Sequence, residues 1–145
     1  EHNVVTFRFC VPLYVRSQHH RHRTWSYNEI SRRYTDENLR FYEPKSFRTQ
    51  HKSDRQASND LNQINPVMNS IQKTLLPASL LTASSAVMDH HHRSMDLYKK
   101  LMKVGICREQ ARGVLPQNLY TEYYGTVNLN NLFKFILVFF SSYFV

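Results

Sequence analysis

The sequence predicts an α+β fold, an antiparallel sheet packed with helices in a single domain, and three observations lead there. Residues 4–10 and 119–127 are rich in β-branched and aromatic side chains. Between them lies a helix-length apolar stripe ended by Gly105. The helical segments differ in length, which suits an α+β arrangement and not a regular βαβ series.

The first strand, VVTFRFC over 4–10, alternates Val5, Phe7 and Phe9 with Thr6 and Arg8 and is ended by Pro12. Leu13 to about Arg23 has neither Gly nor Pro and reads as a short helix, and 24–33 reads as extended or irregular. Residues 35–66, with Pro44, Pro66 and many Gln, Asn, Ser and Arg, read as a long polar loop, and loops of that length in compact domains are usually functional. From about Ser79 to Val104 a helix is expected, its apolar stripe including Leu80, Leu81, Val87, Met88, Met95, Leu97, Tyr98, Leu101 and Met102. A shorter helix over 108–114 stops before Pro116, and 119–127 (LYTEYYGTV) reads as a strand. Asn128 then caps a last helix with Leu129, Leu132, Phe133 and Ile136 inward. Its continuation, LFKFILVFFSSYFV, is shorter than the roughly 20 apolar residues a membrane span needs.

At 145 residues the chain is long enough for one domain and one core. With 41% hydrophobic and 21% charged residues it is neither collagenous, disulfide-rich nor disordered throughout. Nineteen Lys and Arg against 11 Asp and Glu give a net charge of +8, which favours an anionic partner without choosing among nucleic acid, membrane surface and phosphorylated small molecules. Cys10 and Cys107 match no metal or redox spacing, so two reduced thiols and a cytoplasmic location are expected. The start Glu1-His2 shows no leader pattern.

The unusual stretch is 18–34, QHHRHRTWSYNEISRRY. On a helix Gln18, Arg21 and His22 share a face, and on an extended chain Glu29, Ser31 and Arg33 point one way while Ile30, Arg32 and Tyr34 point the other. Guanidinium groups offer bidentate donors to phosphate or carboxylate. A helix C-terminus repels phosphate, so Arg21 and Arg23 must supply the attraction. Chemistry alone leaves a basic surface patch as an equally good reading. His19 and His20 are expected on the surface, and so is the run His90-His91-His92, whose consecutive side chains diverge on a helix. Trp25, Tyr27 and Tyr34 read as packing aromatics before ring-stacking ones, and Glu109 with Arg112 reads equally as a helical ion pair.

Arg21-His22-Arg23 followed by Ser31 resembles the motif that defines the flavin-dependent thymidylate synthases. Ser26, Asn28, Glu29, Arg33 and Tyr34 resemble the flanking pattern, GICREQARGVLPQNLYTEYYGTVNLNNL resembles a second conserved stretch, and EHNVVTFRFCVPLYVRSQ resembles the lead-in. The resemblance implies a homotetramer with shared active sites, of which this chain is an incomplete domain: a core over 1–136 and an atypical apolar tail over 137–145. It implies reductive methylation of dUMP to dTMP with 5,10-methylenetetrahydrofolate and FAD reduced by NADPH, and no role for nucleic acid or membrane. FAD contacts fall on Arg21, His22, Arg23, Glu29 and Asn128, and on Asn130 and Lys134 by position. Nucleotide contacts fall on Gln18, Arg21, Glu29, Ser31, Arg32, Arg33 and Arg112, with Ser31 a contact and not an attacking group.

The sequence departs from the family pattern at Asn130, where arginine is usual, at Lys134, where Asn or His is usual, and at Phe139, where an arginine that helps activate the nucleotide is expected. An inactive truncated relative that still binds ligand, and a basic nucleic-acid-binding module, are the competing expectations.

Overall fold

The computed structural model describes residues 2–31, 39–51, 53, 58–68 and 81–141. Arg32, Arg33, Tyr34 and Leu80 lie outside the described residues. Two compact units emerge, one formed by Glu1–Tyr42, Arg108–Arg112 and Gln117–Val145, the other by Glu43–Cys107 and Gly113–Pro116.

The first unit is built on a three-stranded antiparallel sheet. Strand β1 (Val4–Pro12) leads into helix α1 (Leu13–His19), which is followed by β2 (Ser26–Glu29). Strand β5 (Tyr120–Asn128) runs between β1 and β2, with Val4 opposite Asn128, Pro12 opposite Tyr120, and Glu29 opposite Tyr123. Alternation along β5 buries Thr121, Tyr123, Gly125 and Val127 and leaves Tyr124 exposed. Helix α1 begins without a side-chain cap, and the chain just before β5 stands in: Leu13 N–H donates to the Leu119 carbonyl at 2.9 Å and Tyr14 N–H to that of Gln117 at 3.2 Å.

Two sequence expectations in this unit need correction. The first helix ends at His19 and does not reach Arg23; a run of turns carries 20–25 instead. In the last helix, α4 (Leu129–Ser141), Asn128 Oδ1 accepts from Asn131 N–H at 2.9 Å as a cap should. Leu129 and Leu132 are half-buried as expected, and so is Phe135, which packs on Trp25, while Phe133 is 60% exposed and Ile136 also faces outward. The expected stripe fails at Phe133 and Ile136 because an almost wholly apolar helix carries no internal signal of which side is covered.

The second unit holds helix α2 (Ala83–Lys103) and a two-stranded antiparallel ribbon of β3 (Phe47–Gln50) and β4 (Ser58–Ile64), where a long loop was expected. The ribbon shifts register between Arg48 and Thr49 and consists largely of Asn, Gln, Ser and Thr, so hydrophobic alternation cannot reveal it. Thr82 caps α2 by accepting from Ser85 N–H at 3.3 Å. Gly105, at φ +90°, ends it: Ile106 N–H reaches the Leu101 carbonyl at 3.1 Å and Gly105 N–H that of Met102 at 3.1 Å, a paired C-terminal closure that needs a left-handed residue. The buried side of α2 is His91, Ser94 and Tyr98, while Met88 and Leu97 are exposed. His90 and His92 face solvent as expected, but His91 turns inward with Nδ1 3.6 Å from Glu43 Oε1. Helix α3 (Arg108–Ala111) and a 3-10 turn over 112–114 lead toward β5.

A Cβ on Gly125 would sit 3.0 Å from Phe9 Cε2 and 3.2 Å from Trp25 Cε3, so the central strand depends on a missing side chain there. Gly125→Ala is expected to destabilise the chain by about 1–3 kcal/mol through overpacking. Chemical denaturation checks this, and an unchanged midpoint would contradict it.

Candidate functional site

Helix α1 delivers its last side chain, His19, into the sheet, where it is buried. Its ring lies 4.7–5.4 Å from the rings of Phe9, Trp25, Tyr27 and Phe135, and its Nδ1 is 2.7 Å from the Tyr123 hydroxyl. The chain then turns three times: Arg21 N–H bonds to Gln18 O at 3.1 Å, His22 N–H to His19 O at 3.0 Å, and Trp25 N–H to His22 O at 3.3 Å. The Tyr27 hydroxyl clasps this turn, 2.7 Å from the His19 carbonyl and 3.2 Å from that of His22. His22 is half-buried, edge-on to Phe135 at 4.7 Å, and Arg21 and Arg23 on either side of it are exposed. Among the described residues neither guanidinium meets a carboxylate.

Beside the turn, Glu29 on β2 is held from two elements. Arg16 of α1 donates to Glu29 Oε2 through Nε at 2.9 Å and also through Nη2, and Thr121 of β5 donates to Oε1 at 2.7 Å. His20 stacks on Tyr27 with ring centroids 4.0 Å apart, and burial, followed by repulsion from Arg16, lowers its pKa. A cleft of about 350 Å³ opens next to Glu29, lined by Arg8, Asn28, Ile30, Glu122, Tyr123 and Tyr124. Arg8 is committed there to Glu122, 3.2 Å from Nε to Oε2. Ser31 lies two residues beyond Glu29 and is half-buried.

The structure therefore brings Arg21, His22, Arg23, Glu29 and Ser31 onto one turn-and-strand segment, with exposed Gln18 at the end of α1. Asn128 stands where β5 passes into α4, its Oδ1 engaged as the cap; Asn130 and Lys134 are exposed on α4. Arg112 is exposed with Nε 3.3 Å from the Glu109 carbonyl, and among the described residues no hydrogen bond or ion pair links it to residues 18–31. His19 and His20 are not surface histidines: the first is buried and the second half-buried. Trp25 is core. The sequence reading missed Arg16, Thr121, Tyr123 and Phe135. Their partners lie on other elements, and only the inward alternation of β5 gave a hint of Thr121 and Tyr123.

Comparison with known proteins decides which family this is. The profile of the family described as thymidylate synthase complementing protein matches residues 1–142. The chain belongs to this family. Relatives named flavin-dependent thymidylate synthase include one from Thermus thermophilus, 40% identical over 135 residues, covering 92% of this chain and 44% of the relative. Another, from Thermosipho melanesiensis, is 35% identical over 136 residues, covering 94% of this chain and 54% of the relative. The chain thus spans about half the length of the family members it matches. Among solved structures, a UMP/dUMP methylase from Streptomyces cacaoi bound with 5-Br UMP superposes with a TM-score of 0.71 at 28% identity, covering 94% of this chain and 55% of that one. The α+β reading with its antiparallel sheet holds for this family member.

The His19 ring also sets a pH dependence. Burial, followed by repulsion from His22 and His20, lowers its pKa from 6.5 to about 4. A base whose folded pKa is depressed favours folding above its unfolded pKa, and that contribution is lost as pH falls from 6.5 toward 4. The loss is at most on the order of 3 kcal/mol. Stability is expected to drop between pH 7 and pH 4.5, and His19→Phe to flatten that drop. Equal slopes for the two proteins in denaturation curves would contradict it.

Proposed function

We propose that the protein carrying this chain is a flavin-dependent thymidylate synthase, which methylates dUMP reductively to dTMP. The observation that supports it most is the pair of exposed guanidiniums, Arg21 and Arg23, flanking a half-buried His22 one strand away from a pinned carboxylate. Guanidiniums without carboxylate partners among the described residues fit the pyrophosphate of FAD, since each offers a planar fork of donors to phosphate oxygens. The bound flavin, reduced by NADPH, would supply the hydride that completes the methyl group delivered from 5,10-methylenetetrahydrofolate.

In this reading the protein's own groups bind and orient. Arg21 and Arg23 hold the cofactor's phosphates in place, and His22, fixed by Phe135, lines the same site. Glu29 accepts a donor from the ligands, and Gln18, Ser31, Arg32, Arg33 and Arg112 receive the nucleotide. Asn128 at the end of β5, and Asn130 and Lys134 on α4, offer cofactor contacts. The +8 charge favours the entry of anionic FAD, dUMP, NADPH and folate. The names of the relatives favour dUMP as the acceptor, and the 5-Br UMP on the Streptomyces cacaoi structure favours a uridylate at this site. Assembly is as a homotetramer with shared sites, in keeping with the exposed apolar Phe133, Leu137 and Val138 of α4. The unpaired Cys10 and Cys107 suit the cytoplasm.

The purified chain is expected to bind FAD, seen as a shift of the flavin's visible absorbance, and Arg23→Ala to weaken that binding by about tenfold or more. Unchanged flavin affinity in Arg23→Ala, together with a uniform loss of affinity across DNA sequences, would overturn the proposal in favour of a nucleic-acid module.

A further inference from the structure

Glu29 is the most constrained polar group of the site, and its constraint has a direction. A carboxylate offers about four lone-pair sites. Arg16 occupies Oε2 twice, through Nε at 2.9 Å and through Nη2, and Thr121 takes one site on Oε1 at 2.7 Å. Among the described residues one acceptor site remains, on Oε1. The two donors come from different elements, the helix α1 and the central strand β5, and Thr121 is only 1% exposed. The plane of the carboxylate is therefore set before any ligand arrives. The Glu29 side chain keeps 20% of its exposure, so the remaining site can be reached.

We infer that Arg16 and Thr121 are positioning residues that act through Glu29, presenting one pre-aimed acceptor to an N–H or O–H of the bound nucleotide. This rests on the reading of Glu29 as a nucleotide contact. Pre-aiming removes the rotamer freedom that a glutamate would otherwise lose on binding, and it keeps a partly buried anion paired while the ligand is absent. The arginine matters for its geometry: only a planar fork can grip one oxygen from two nitrogens, so lysine can replace the charge but not the orientation.

The test is calorimetric titration of dUMP into the FAD-saturated full chain, comparing Arg16→Met, Arg16→Lys, Thr121→Val, Glu29→Gln and the double variant Arg16→Met/Glu29→Gln. Each of Arg16→Met, Thr121→Val and Glu29→Gln is expected to weaken dUMP binding by about tenfold, with Arg16→Lys recovering part of the loss. The double variant is expected to bind no more weakly than Glu29→Gln alone, because residues that act through one another do not add. Losses that add in the double variant would mean that Arg16 serves the fold and not Glu29, and would overturn the inference. If Arg16→Met fails to fold by circular dichroism, near-isosteric Thr121→Val with its own Glu29→Gln double variant carries the same comparison. An unaltered chain that takes up no dUMP would overturn the proposed function and this inference with it. An unaltered chain that binds dUMP, with variants indistinguishable from it, would overturn the positioning role alone.

Discussion

The burial of one imidazole sets most of this site. His19 leaves the end of α1 and enters a nest of Phe9, Trp25, Tyr27, Tyr123 and Phe135 drawn from both outer strands, the central strand, the last helix and the turn itself. A helix continuing to Arg23 would swing its next residues along its own axis. Drawing His19 inward stops the helix, and the chain folds back over its own end under the Tyr27 hydroxyl. Arg21 and Arg23 then face solvent while His22 leans on Phe135. The imidazole is an imperfect occupant: its Nε2 is buried without a hydrogen-bond partner among the described residues. Such an orphan costs about 1–3 kcal/mol, offset here by edge-on ring contacts and the Tyr123 bond.

A second junction ties the turn to the sheet through charge. Glu29 joins α1, β2 and β5 through Arg16 and Thr121. A partly buried ion pair contributes little net stability compared with apolar packing of the same volume, yet leaving either partner alone is costly. Its value to the molecule is geometric: it fixes one carboxylate relative to the neighbouring turn. Gly125 allows the aromatic nest, because the space its side chain would fill belongs to Phe9 and Trp25. The aromatic nest and the charge junction thus share the same short stretch of β5.

What the sequence disclosed follows from where each signal is local. β1, β5, α2 and the Gly105 stop were legible because alternation, periodicity and the left-handed glycine are written in neighbouring residues. The polar ribbon of β3 and β4 was not, since apart from the Phe47–Ile64 pair its strands are mostly polar and show no apolar alternation to read. The depth of His19 and His91 was equally invisible: a histidine beside other histidines looks solvated until distant rings or Glu43 are brought to it. For the candidate site, the resemblance points to Arg21, His22, Arg23, Glu29 and Ser31, while Thr121 meets Glu29 only through three-dimensional proximity across 92 residues.

Trp25 is the sole tryptophan, buried in the nest two residues after Arg23, so its fluorescence reports on the nest and on anything held by the turn. Titrating FAD into the chain while recording that emission shows whether the turn packed on this nest holds the flavin. A packed nest carrying the flavin site predicts the short-wavelength emission of a buried indole, quenched in a saturable way as FAD binds. Long-wavelength emission that FAD leaves unaltered would contradict it.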